Sequence, residues 1–300
     1  MAKAAAGWFI TSCGLLLASL GAIGVSGRGT SAEELTSPPL ASAWVPEHAS
    51  RVRLVAGSVA HAGQPSKTIY AGLEIELDQG WKTYWRNPGS SGVPPRIELE
   101  GSQNLEKAEL MFPAPLRFKD RDGDTIGYKT HVVLPVALTP KDPTKPMVLK
   151  VAAELGICRE VCVPVQPMLG LTVPPDTAKS PENGPLRYAL DRVPQAGKAG
   201  TDTPRLERVK TRLSGGQPQV VIDARFPGQA GEGDVFLEAP DGIWIPLPQP
   251  NGKSEDGGRR FVVDLTDGAD LNDLKGRRIR VTLVGAESQS EAAFDMVETN

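Results

Sequence analysis

Cys158 and Cys162 lie four positions apart in the run LGICREVCVPVQP, residues 155–167, separated by Arg159, Glu160 and Val161. Sulfur at that spacing allows three kinds of chemistry: a structural bridge, a soft-metal site or a pair that exchanges electrons. If the flanking strands form a hairpin, a three-residue loop sets the two cysteines opposite each other. Their Cα atoms would then be roughly 4.5–5.5 Å apart, within bridging range. One helical turn would also bring them together. Closing so short a loop stabilises a fold by only about 2 kcal/mol in the chain-entropy model, so the pair is a weak staple. Arg159 favours a thiolate and Glu160 opposes it.

A structural zinc site needs four ligands. The three histidines, His48, His61 and His131, stand at no ligand spacing from the cysteines. Two thiolates with Met168 or Met147 would suit Cu(I), so Cys158, Cys162 and Met168 form the alternative metal set. The second unusual stretch is WKTYWRNPGSSGVPPRI, residues 81–97. Trp81, Tyr84 and Trp85 fall within five residues of a chain that is only 5% aromatic. Read structurally, it is an aromatic corner sealing one end of a sandwich. Read functionally, Trp81, Tyr84, Trp85 and Arg86 shield or present a reactive site.

Other signatures fail. DRDGD, residues 120–124, resembles the start of a calcium loop, but the twelfth residue is His131 where glutamate is required. It reads as a solvated turn. There is no P-loop, HExxH or GxSxG. The net charge of −3 without a basic run argues against nucleic acid and anionic membrane surfaces. The 27 Pro and 32 Gly are costly in helix interiors and argue against a helix-rich fold. No organic cofactor is implied.

The elements that must position the cysteines read as strands. TIYAGLEIELD places Ile69, Ala71, Leu73, Ile75 and Leu77 on one face, and RVRLVAGSVA places Val52, Leu54 and Val59 on another. Further strands are expected at 96–99, 105–111, 129–138, 147–155 and 168–173, separated by NPGSSG, DRDGD and TPKDPTKP. The expected architecture is all-β: two immunoglobulin-like antiparallel sandwiches. Residues 1–32 read as a signal peptide: Lys3, then an uncharged run at 8–25, then TSA at 30–32 before the cleavage point. An uncleaved N-terminal anchor is the alternative. A lead-in at 33–50 precedes the first sandwich at 51–173. A linker at 174–204 holds a short helix with Ser180 as N-cap and Pro181 in the first turn. A second sandwich at 205–300 carries neither Cys nor His. Pro246, Pro248 and Pro250 place their segment at an edge or in a loop. Export makes disulfides accessible, and removing Cys13 with the signal leaves two cysteines.

Four ordered motifs carry a resemblance: WKTYWRNPGSSGVPP at 81–95, FPAPLRF at 112–118, GYKTHVVLPVAL at 127–138 and LGICREVCVPVQ at 155–166. Together they resemble the periplasmic N-terminal domain of the thiol:disulfide interchange protein DsbD. They are closer still to the corresponding region of its relative ScsB, which is associated with copper tolerance. DVFLEAPDG, at 234–242, resembles the β-domain that follows in ScsB-type proteins. The resemblance implies an immunoglobulin-like periplasmic module acting as a thiol-disulfide oxidoreductase component. Cys158 and Cys162 would be the exchanging pair, with Cys162 attacking. Its partners would be a separately encoded, membrane-embedded electron donor and thioredoxin-like or other exported thiol proteins. A copper-binding protein using the same thiols and a non-catalytic interaction module with an inert disulfide are the competing expectations.

Overall fold

The computed structural model describes residues 40–60, 68–89, 91–121, 123–179, 183–197, 202–228, 232–266 and 268–299. The expected signal segment lies outside them, as do Ser180 and Pro181. Among the described residues no helix is long and apolar enough to cross a membrane.

The first block is built from β1 (Leu40–Ala41), β2 (Val45–Glu47), β3 (Ser50–Val59), β4 (Thr68–Leu77), β5 (Lys82–Gly89), β6 (Arg96–Glu98) and β7 (Leu105–Leu110). It continues through β8 (Leu116–Asp120), β9 (Gly123–Lys129), β10 (His131–Pro140), β11 (Met147–Cys158), β12 (Cys162–Val165) and β13 (Met168–Val173). One sheet runs β1-β3-β4-β10-β7, with β2 also on β3. The other runs β12-β11-β5-β9-β8, with β6 and β13 also on β11. The end of the lead-in is therefore not free, because Leu40 and Ala41 pair with Ala56 and Val55.

Period-2 alternation sends one face of each sheet inward. Val52, Leu54, Leu73 and Ile75 meet Trp85, Ile126, Leu149 and Ile157 across the layer. Each such side chain contributes about 1.5–3 kcal/mol when fully removed from water. Val59 has the opposite parity to Val52 and Leu54. It joins Val55, Tyr70 and Val133 on the reverse face of the first sheet, beneath the helix α1 (Gly184–Asp191). This corrects the expected common face.

The helix is a cover for that sheet, buried through Leu186, Ala189 and Leu190. Its N-cap is Asn183, three residues after Ser180, and the Asn183 side chain accepts from the Leu186 N–H. The same amide donates to the Ala56 carbonyl at 3.3 Å, so the cap also fastens the helix to β3. Gly72 permits the close approach: a Cβ there would lie 2.5 Å from Val133 Cγ1 and 2.8 Å from Leu186 Cδ2.

The second block comprises β14 (Arg205–Arg212), β15 (Gln219–Arg225), β16 (Gly233–Glu238), β17 (Gln249–Lys253), β18 (Arg259–Asp264), β19 (Arg278–Gly285) and β20 (Gln289–Asp295). Its sheets run β14-β15-β18-β17 and β16-β19-β20. Val220, Ile222, Phe261, Val263, Val281 and Leu283 are among its buried core residues. The proline-bearing segment forms no strand before Gln249, and β17 lies at a sheet edge, where a missing N–H is tolerated. The chain is thus an all-β, immunoglobulin-like assembly of antiparallel sheets. The described residues belong to one compact unit.

Candidate functional site

β11 and β12 are the arms of a hairpin in which Cys158 directly faces Cys162. The sulfurs are bonded, with the Cα atoms 4.1 Å apart. The Arg159 N–H donates to the Val161 carbonyl at 3.3 Å, inside the cysteine pair. That bond marks Cys158–Cys162 as a non-hydrogen-bonded pair, the closer of the two antiparallel spacings. The backbone N–H and C=O of Cys162 therefore point away from β11, towards the free edge of the sheet. Pro164, two residues on, has the same outward orientation and no N–H to lose there.

The sheet register places the neighbours. Lys82 on β5 pairs with Cys158 on one side and with Lys129 of β9 on the other. Directly opposed side chains share a face. Cys162, Cys158, Lys82 and Lys129 therefore line the outer face, while Leu155 and Ile157 point into the core. Tyr84, two residues beyond Lys82, points the same way. Its hydroxyl lies 3.1 Å from Cys162 Sγ. A disulfide sulfur has no hydrogen, so the tyrosine is the donor. Gly156 makes room for the ring: a Cβ there would stand 3.2 Å from two ring carbons.

The two sulfurs differ in access. Cys158 is 1% exposed, whereas Cys162 is exposed. The hairpin tip is also open, with Val161 72% exposed. Of the two bonded residues, only Cys162 is open to solvent. Burial, aided by the negative charge of Asp120, pushes the Tyr84 phenol above its ordinary range and keeps it a donor at neutral pH.

Beside the tyrosine lies a cluster that the sequence reading passed over. Lys82 is buried, donates to Thr125 at 2.9 Å and pairs with Asp120. Burial opposes ionisation of Asp120, but hydrogen bonds from Lys82 and Thr125 outweigh it and hold the carboxyl below its usual range. Asp120, the first residue of DRDGD, is thus an ion-pair partner at the end of β8. The clue in the sequence was Lys82 itself, a cation set among Trp81, Tyr84 and Trp85.

The four expected aromatic and basic residues fall into two groups. Trp81 packs edge-on against His48, with ring centroids 4.8 Å apart, and the Arg159 guanidinium stands 6.0 Å from its ring. With Tyr84 it flanks the hairpin. Trp85 has the opposite parity, is fully buried and packs on Phe236 of the second block at 5.8 Å. Arg86 holds Glu238 through two bonds of 2.7 Å and reaches Glu291 at 3.1 Å. Burial would lower its pKa, but these two carboxylates raise it. Trp85 and Arg86 thus build the interface between the blocks.

The Cu(I) set does not assemble. Met168 shares the outward face of the β12–β13 edge, but it pairs with Ala152, six positions along from the Cys158–Cys162 rung. Six residues of strand span about 20 Å, too far for one ion. Met147 lies farther along β11. Among the described residues no group of three or more His, Cys, Asp and Glu is arranged to hold a metal.

Residues 51–174 match the family described as thiol:disulfide interchange protein DsbD, N-terminal. A solved structure, the crystal structure of the N-terminal periplasmic domain of ScsB from Proteus mirabilis, superposes with a TM-score of 0.64. It is 22% identical, with 87% of this chain and 100% of that one covered. No curated protein matches the chain. The structural likeness extends through the second block and concerns the fold.

Proposed function

We propose that this chain, whose residues 51–174 form a DsbD N-terminal domain, is a periplasmic thiol:disulfide exchange protein working through Cys158 and Cys162. The observation that carries the reading is the asymmetry of the bridge: an exposed Cys162 joined to a buried Cys158 at a sheet edge. A bridge serving only as a staple needs no such asymmetry.

In the electron-accepting half-reaction a donor thiolate attacks Cys162 Sγ. The Cys158–Cys162 bond breaks and its electron pair leaves on Cys158. A second donor thiol then resolves the mixed disulfide. The donor ends as a disulfide, and this chain holds two thiols after taking up two protons. In the donating half-reaction the Cys162 thiolate attacks the disulfide of an exported protein. Cys158 closes back on Cys162 and the substrate leaves reduced. Tyr84 donates a hydrogen bond to the Cys162 sulfur, stabilising negative charge there, and Trp81 packs beside the hairpin tip. The donor is of the membrane-embedded DsbD/ScsB type, and the acceptors are thioredoxin-like or other exported thiol proteins.

The test is trapping. A Cys158→Ser variant expressed in its native host is expected to hold a redox-active partner through Cys162, released by reductant. The Cys162→Ser variant is expected to hold none, because Cys158 is buried. Absence of a dithiol protein from the Cys158→Ser adducts would reject the exchange role.

A further inference from the structure

Tyr84 raises a question of access. Its side chain projects from the outer face of the sheet, yet it is 3% exposed. Pro88 of β5 and residues 92–93 cover it. A Cβ on Gly92 would stand 2.4 Å from Pro88 Cβ and 2.8 Å from Tyr84 Cε1. Val93 reaches the other side, with its Cβ 3.7 Å from the position a Gly156 Cβ would take. Pro88, Gly92 and Val93 thus form a cover over the tyrosine that holds Cys162.

The second block holds that cover down. The Asn87 side-chain amide donates to the Leu237 carbonyl at 2.7 Å. Its oxygen accepts from the Gly89 N–H at 3.4 Å, across Pro88. Gly89 has a φ of +87°, and a Cβ there would meet Asp124 O at 2.6 Å and Leu247 Cδ1 at 3.3 Å. The chain turns here in a conformation that suits glycine, pressed between β9 and the second block.

Resting on the exchange reading above, we propose that the second β-block is a brace for the disulfide site, and that Asn87 is the positioning residue through which it holds the cover over Tyr84, the donor that flanks the Cys162 sulfur. Contacts run from Leu237 and Leu247 through Asn87 and Gly89 to Pro88 and Gly92, then to Tyr84 and the sulfur. The block without cysteines thereby sets how readily a thiol reaches the bridge. A separate clamp at the same interface bypasses the cover: Arg117 donates to Asp234 at 2.8 and 2.7 Å and to the Pro248 carbonyl at 2.9 Å.

The experiment uses the full chain and dithiothreitol, which needs no protein partner. Its thiolate attacks Cys162 and expels Cys158 as thiolate. Its second thiol then closes the dithiothreitol ring, leaving the reagent oxidised and both cysteines reduced. Asn87→Ala is expected to speed this reduction about fivefold, the scale set by one net hydrogen bond. Asn87→Asp keeps an acceptor for Gly89 but loses the donor to Leu237, and is expected to behave likewise. Leu247→Ala is expected to accelerate it less. In both Asn87 variants the Tyr84 phenol is expected to titrate at lower pH, identified by difference against Tyr84→Phe. Asp234→Asn is expected to lower the unfolding midpoint without accelerating reduction. Wild-type rates in the Asn87 and Leu247 variants, or equal acceleration by Asp234→Asn, would overturn the brace. Because dithiothreitol needs no protein partner, an acceleration seen without any trapped partner would uphold the brace and reject the exchange role.

Discussion

Residues 81–84 and 85–87 are adjacent stretches of one aromatic motif, and they serve different parts of the molecule. The first places Trp81, Lys82 and Tyr84 around the cysteine hairpin. The second places Trp85, Arg86 and Asn87 against Phe236, Glu238 and Leu237 of the other block. The break falls at a register shift and not at a change of face, since Trp81 shares the parity of Trp85 and Tyr84 that of Arg86. Tyr84 faces out and Trp85 faces in, and the pairing of β5 with β9 shifts register after Tyr84. A motif that looks like one docking surface is therefore a junction between the disulfide hairpin and the seam with the second block.

Substitutions can separate the two stretches. The largest effect is expected at the sulfurs: Cys158→Ser or Cys162→Ser abolishes turnover with any dithiol partner, measured as loss of coupled reduction. Next is Arg86→Ala, which leaves Glu238 without its partner at a partly buried seam and Glu291 with Arg280 alone, at 3.6 Å. It is expected to cost about 3 kcal/mol in urea unfolding. A loss below 0.5 kcal/mol, on the order of an exposed pair, would show that the seam is not held there.

A smaller effect is expected from Tyr84→Phe, which keeps the ring over Gly156 and removes only the hydroxyl. Attack by Cys162 should slow about fivefold, with stability changed by about 1 kcal/mol or less. An unchanged rate would detach Tyr84 from the chemistry.

The smallest effect lies far from both stretches. Burial would raise the Glu74 pKa, but bonds from Arg53 and His131 lower it below its ordinary value of 4.5. Its ionisation therefore stabilises the fold above pH 4.5, and that contribution is lost as pH falls through the lower folded value. Glu74→Gln is expected to flatten the acid limb of the unfolding midpoint against pH. An unaltered limb would assign the acid sensitivity to other carboxylates.

The hairpin was legible as one of two geometries, beside a helical turn, because alternating runs flank the three intervening residues. The strand-rich architecture was legible for the same reason, as was the exclusion of the prolines at 246, 248 and 250 from a central strand. What the sequence hid was long-range or two-sided. Arg86 and Glu238 are 152 residues apart, and nothing local marks them as partners. Asp120 looked like part of a solvated turn because Lys82, 38 residues earlier, is what orients it. Val59 was misplaced because β3 is buried on both faces, under a sheet on one and a helix on the other, so hydrophobicity alone cannot give its parity. The helix cap moved to Asn183 because a tertiary bond to Ala56 selects it.

If the Cys158–Cys162 bond opens and closes under conditions of the cell envelope, as proposed, its reduction potential must lie within reach of the thiols there. Equilibration of the full chain against glutathione buffers, with the thiols counted by alkylation, is expected to give a value above about −300 mV, in the range of exchanging dithiols. A value below about −300 mV would identify an inert bridge and contradict the account.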